Sequence, residues 1–218
     1  MKLLLIICAF LFCISANAQY ISYGKIEPID ESGSDPSFKV FVEELKQTVR
    51  NKDAAALYNV LDDSIQFSFG DEIQSKSEFR KAWDIDNPNS EFWEAFGSTI
   101  DLGIVRCATD CDYSDFVFPY YQESGLLKDV NDAYSVLIII TPDARIYSAP
   151  AKNSRVLTTL SYEAISLVDF KDDWFVISFN SKTRGYINKL DARSLVGLRG
   201  GFKKKNGEWK LVYFISGD

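Results

Sequence analysis

The spacing of the apolar residues changes once along this chain, and that change limits what each half can form. Up to about residue 97 the spacing is helical. Asp35-Pro36 sets a capping side chain before a proline at the first helical position, and Phe38, Phe41, Val42, Leu45 and Val49 follow on one face. Asp53 opens a second short helix carrying Leu57, Val60 and Leu61. Ser75 with Glu78 reads as a capping box ahead of Phe79 and Trp83, and Ser90 opens a further helix with Phe92, Trp93 and Phe96, which Gly97 is expected to stop. Within this stretch "SIQFSFG" (64–70) alternates Ile65, Phe67 and Phe69 like a half-buried strand.

From Thr99 onward the period is two. "TIDLGIV" (99–105) and "DFVFPYY" (115–121) are predicted strands, joined by a loop containing "CATDCDYS". After a polar link over 122–133, short strands are expected at 134–141, 144–148, 155–160, 164–170, 174–179 and 184–187, with Gly, Pro, Asn or Asp turns between them. Short, closely spaced strands that are apolar on one side suggest a small barrel. Asn206-Gly207, with Trp209, Leu211, Tyr213 and Ile215 alternating after it, predicts a final hairpin.

The N-terminus bears on the compartment. Met1-Lys2, the apolar run "LLLIICAFLFCIS" and Ala16-Asn17-Ala18 have the parts of a secretory signal peptide over residues 1–18. Cys8 and Cys13 fall inside it, and the bulky Leu11 and Phe12 argue against a lipoprotein cleavage box. No later run reaches the roughly 18 to 20 apolar residues that span a bilayer. A periplasmic or secreted mature chain without a transmembrane segment is therefore expected. The whole chain has 24 basic and 31 acidic residues and a net charge of −7, and losing Lys2 makes it more negative. That balance argues against nucleic acid as a partner, because binding phosphates needs a basic surface.

The sequence contains no histidine. This removes Ser-His and Cys-His nucleophilic pairs, histidine general bases and His-containing zinc sites together. No catalytic motif is recognisable, no cofactor is expected, and the chain is read as a non-enzyme.

Cys107 and Cys111 are the two cysteines outside the leader. Two thiols are too few for a structural zinc site, and their spacing is not the Cys-x-x-Cys of a redox centre. In an oxidising compartment they most simply pair with each other. The neighbouring Asp110, Asp112 and Asp115 could hold calcium, but the loop lacks the glycine turn and distal glutamate of an EF-hand, and solvated loop charge is the plainer reading. The acidic pairs Asp62-Asp63, Asp71-Glu72 and Asp84 with Asp86 leave a carboxylate-dependent hydrolase in the front half as an alternative. Lys203-Lys204-Lys205 either meets an anionic polymer or guards a strand edge.

The second half resembles a known family. Ile146-Tyr147-Ser148-Ala149-Pro150, the turn Asn153-Ser154, Val156 to Leu160, Asp172-Asp173-Trp174 with Val176, and Gly185-Tyr186-Ile187 follow the order of a bacterial SH3-like domain, over about residues 136–192. Tyr147 stands where many members have arginine, and Tyr162 where a glycine is common. The whole chain is similar to envelope proteins of Bacteroidetes-type bacteria, through Phe67-Ser68-Phe69-Gly70, Phe79, Trp83, Gly207-Glu208-Trp209 and Gly217-Asp218.

Together these readings give an α+β fold: a signal peptide over 1–18, a flexible segment over 19–34, a helix-rich α+β domain over 35–130, and an all-β SH3-like barrel with a C-terminal β-hairpin over 134–218. The resemblance implies a non-catalytic envelope protein that recognises a peptide or glycan, peptidoglycan among the candidates, or that binds another envelope protein. Tyr147, Tyr162, Trp174 and Tyr186 are the candidate ligand-binding residues, and no metal is called for. A structural envelope subunit is the other alternative.

Overall fold

The structure, a computed structural model, describes residues 20–70, 74–108, 111–128, 130–180 and 183–217. Its elements run β1 (Ser22–Lys25), α1 (Pro36–Asn51), α2 (Ala54–Val60), β2 (Leu61–Gln66), α3 (Lys76–Ala82), α4 (Glu91–Ile100), β3 (Val105–Arg106) and β4 (Phe116–Phe118). They continue with β5 (Val136–Ile139), β6 (Ala144–Tyr147), β7 (Val156–Leu160), β8 (Glu163–Lys171), β9 (Trp174–Asn180), β10 (Thr183–Asn188), β11 (Ala192–Ser194), β12 (Arg199–Lys205) and β13 (Glu208–Ile215). The result is an α+β mix of helices and two mostly antiparallel sheets.

The helices start where short polar side chains answer their free N–H groups. The Asp35 carboxylate accepts from Ser37 N and Phe38 N at 2.8 and 3.0 Å, Asp53 does the same for Ala55 and Ala56, and Ser90 Oγ accepts from Phe92 N. α1 ends at Lys52, whose φ of 54° is left-handed. α4 does not stop at Gly97 but runs on to Ile100, so Thr99 and Ile100 are helical and the strand expected at 99–105 shrinks to Val105–Arg106. The physical reason is packing: Ile100 extends the buried stripe of Phe92, Phe96 and Thr99, and Gly97 lies against Val49 of α1.

The first sheet has the order β2-β13-β12-β4-β3, with β2 parallel to β13. All four helices contribute to the core on one of its faces. Phe38 stacks on Phe116 at 3.9 Å between ring centres and meets Trp209 at 4.7 Å, while Phe96 meets Phe118 and Phe214. β12 and β13 pair antiparallel across Asn206-Gly207, both at positive φ. They lie in the middle of this sheet, whereas the sequence reading grouped the hairpin with the preceding barrel in one domain over 134–218. The deciding contacts are Phe202, Trp209, Leu211 and Phe214, all in the helix-side core.

The second sheet has the order β11-β5-β8-β9-β10-β6-β7, and β1 adds to β8. It curls over its own core of Leu137, Ile146, Ile165, Leu167, Phe175, Ile177 and Ile187. Gly185 sits where a Cβ would crowd Ile146 and Ile177. The expected barrel is not closed: among the described residues the sheet is an open path from β11 to β7. The segment 19–34, expected to be flexible, supplies β1, and Ile26 after it is buried with its N–H donating to Tyr162 O at 2.7 Å. A short polar strand such as "SYGK" has no periodicity of its own and is held by its partner β8.

The two sheets meet. Val105, Val117, Tyr120 and Tyr121 pack with Val136, Ile138, Ala164 and Ile26. Burial pushes the Tyr120 phenol up to about 12, and the same cause raises Tyr121. Among the described residues no helix is long and apolar enough to cross a membrane.

Candidate functional site

The first sheet has a second face, and the second sheet covers only part of it. Side chains alternate across a strand, so β2 sends Leu61 and Ile65 into the helix-side core and turns Asp62, Ser64 and Gln66 the other way. β12 does likewise: Phe202 faces the helices, Lys203 and Lys205 the opposite side. Where the second sheet ends, these residues bound a pocket of about 450 Å³, walled by Asp112 and Tyr113 of the loop before β4.

Two glycines of β12 leave room for rings on the two faces of the sheet. A Cβ on Gly201 would overlap the Tyr213 ring and come within 2.9 Å of Ser114 Cβ, so the absence of a side chain lets Tyr213 lie across β12. On the helix side, Gly200 leaves the same kind of room for the Phe118 ring. An irregularity in the pairing between Gly201 and Phe202 shifts the register opposite Val212, which also lines the pocket. Burial pushes the Tyr213 phenol up, and a hydrogen bond with Ser114 works against that shift.

The three lysines each have a fixed task. Lys203 Nζ donates to the carbonyls of Cys111, at 3.4 Å, and of Asp112, tying the loop to β12. Lys204 turns to the helix side, donates to Ser37 Oγ at 2.9 Å and lies over the Trp209 ring. Lys205 pairs with Asp62 at 2.7 Å. They do not guard a free edge, since β12 runs between β13 and β4 and Asp115 accepts from Lys204 N beyond the end of β4.

Asp62 is 8 % exposed. Burial alone would raise its pKa, but the Lys205 ammonium and the hydroxyl and N–H of Ser64 outweigh it and hold the carboxyl below its ordinary value. It is an ionised, fully engaged carboxylate, unsuited to donate a proton. Tyr113, by contrast, is 76 % exposed at the rim.

The aromatic residues singled out from the sequence divide. Tyr147 and Trp174 are buried against each other, ring centres 5.4 Å apart and nearly perpendicular. Tyr186 lies opposite Tyr147 in register and is half-buried. Tyr162 stands apart, at φ 51° in the turn between β7 and β8, where its carbonyl takes the Ile26 N–H. Tyr147 and Trp174 thus form a buried pair, with Tyr186 beside Tyr147 on the neighbouring strand.

Cys107 and Cys111 lie at disulfide distance, with Cα atoms 5.6 Å apart, and the pair sits at the base of the pocket loop. Asp110, Asp71 and Glu72 lie outside the described residues. Among the described residues no group of carboxylates and thiols is placed to hold a metal ion.

Asp62, Asp112, Lys203 and Lys205 were each singled out from the sequence, but for separate roles and not as one site, whereas Ser64, Gln66 and Tyr113 were missed because they are ordinary polar or exposed residues of a strand and a loop. Asp62, Ser64 and Gln66 alternating with Leu61 and Ile65 was the available signal, but it marks only a solvated sheet face until the loop and β12 are placed against it. Compared with known proteins, the chain matches no family model, no curated protein and no solved structure.

Proposed function

We propose that this is a non-catalytic binding protein of the bacterial cell envelope, exported by its leader, that holds a fragment of peptidoglycan in the pocket on the first sheet. The second sheet is, in this reading, its SH3-like module. The observation that carries the proposal is the pocket: about 450 Å³, concave, lined by hydroxyl, amide and charged groups, with the exposed Tyr113 ring at its rim. That volume lies in the range of small-molecule sites, and an aromatic face beside hydrogen-bonding groups suits a sugar ring or an extended peptide. The missing histidine and the ion-paired state of Asp62 support binding without turnover.

Retention of the mature protein on isolated peptidoglycan tests this. Wild type is expected to be retained, with Tyr113→Ala reducing retention at least tenfold and Tyr186→Ala leaving it unchanged. No retention of wild type, or cleavage of the glycan by pure protein, would overturn it. The adjacency of Tyr147, Trp174 and Tyr186 on neighbouring strands favours a second reading, in which the SH3-like module carries the ligand; the two substitutions would then exchange effects.

A further inference from the structure

Four charged side chains line the pocket, and they are not equivalent. Asp62 and Lys205 neutralise each other at 2.7 Å. Lys203 and Asp112 remain. An ammonium has three N–H donors, and Lys203 gives contacts only to the backbone carbonyls of Cys111 and Asp112, so its charge has no carboxylate in ion-pair range among the described residues. The Asp112 side chain is exposed and likewise makes no ion pair among the described residues. Yet the two charges cannot be far apart, because the Lys203 ammonium is bonded to the carbonyl of Asp112 itself. The neighbouring Cys107–Cys111 pair limits how far Asp112 can swing away.

A wall that holds a cation and an anion side by side, each without a charged partner among the described residues, is complementary to a group carrying the reverse pair. The surrounding chain strengthens the choice. Its net charge of −7 disfavours a simple anion at the pocket, and a ligand whose charges cancel avoids that repulsion.

Building on the pocket proposed above, we infer that its charged end recognises an amino-carboxylate, the carboxylate bound by Lys203 and the ammonium by Asp112. This is the chemistry of a free amino acid or of the amino-acid side branch of a cell-wall peptide. Tyr113 and Gln66 then serve the uncharged remainder of the ligand.

Titration of the isotope-labelled mature protein with glycine, acetate, methylammonium and N-acetylglucosamine, followed by amide chemical shifts, tests the inference. Glycine is expected to move the amides of Asp112, Tyr113 and Lys203 saturably, with acetate and methylammonium each at least tenfold weaker. Asp112→Asn, on an exposed side chain, is expected to keep the spectrum elsewhere and weaken glycine at least tenfold; Lys203→Met is expected to weaken glycine as much, with further shifts in the loop that Lys203 ties to β12. Equal glycine binding by wild type and Asp112→Asn would overturn the inference, as would no response to glycine. If N-acetylglucosamine or a peptidoglycan fragment saturates the pocket while glycine does not, the inference fails and the proposed function stands. If nothing shifts the pocket amides, both fail.

Discussion

Asp62 carries a charge in a place where water is scarce, and its surroundings keep it ionised. Because its folded pKa lies below the unfolded value of about 3.9, its contribution is complete above that value and is lost as pH falls through the lower, folded one. Asp62→Asn is therefore expected to lower stability near pH 7 by about 1.5 to 3 kcal/mol, the range for hydrogen bonds to charged groups, and by much less at strongly acid pH. Urea midpoints at the two ends of the range measure this. A difference that stays constant with pH would mean that the charge of Asp62 contributes nothing to stability. The same residue shows why the site was hard to read from sequence: Asp62-Asp63 looked like one acidic pair, but the strand sends Asp62 to the pocket and leaves Asp63 on Lys76.

At the scale of elements, local signals were legible wherever they were self-sufficient. Asp35-Pro36, Asp53, Ser75 and Ser90 mark real helix starts because a cap is satisfied within its own turn. The six strands expected over residues 134–187 stand close to β5–β10, since each has its own apolar run and its own turn. β1 was not legible, having no pattern without β8. Nor was the allegiance of β12 and β13, which depends on partners more than eighty residues earlier. That allegiance has a consequence. A chain ending at residue 198 loses Phe202, Trp209, Leu211 and Phe214 from the helix-side core, each loss of a buried large side chain costing about 2 to 5 kcal/mol. Such a truncation is expected to unfold α1–α4, with loss of helical circular dichroism and of amide dispersion. A truncated chain that kept its helices would show that the hairpin is an appendage.

As a whole, the molecule is one sheet interrupted by another. After β1, which joins the second sheet, the chain lays down α1, α2, β2, α3, α4, β3 and β4, departs to build the rest of the second sheet over 136–194, then returns to insert β12 and β13 at the centre of the first. The second sheet covers part of the free face of the first, and the uncovered part becomes the pocket. No local motif encodes such a site, which exists only where β2, β12, β13 and the cystine loop converge. The central claim, that this uncovered face binds an envelope ligand, is tested most directly by mapping amide shifts when soluble peptidoglycan fragments are added to the mature protein. The account expects saturable changes at Ser64, Gln66, Tyr113, Lys203 and Tyr213, with the second sheet silent. Changes confined to the strands around Tyr147 and Tyr186 would contradict it.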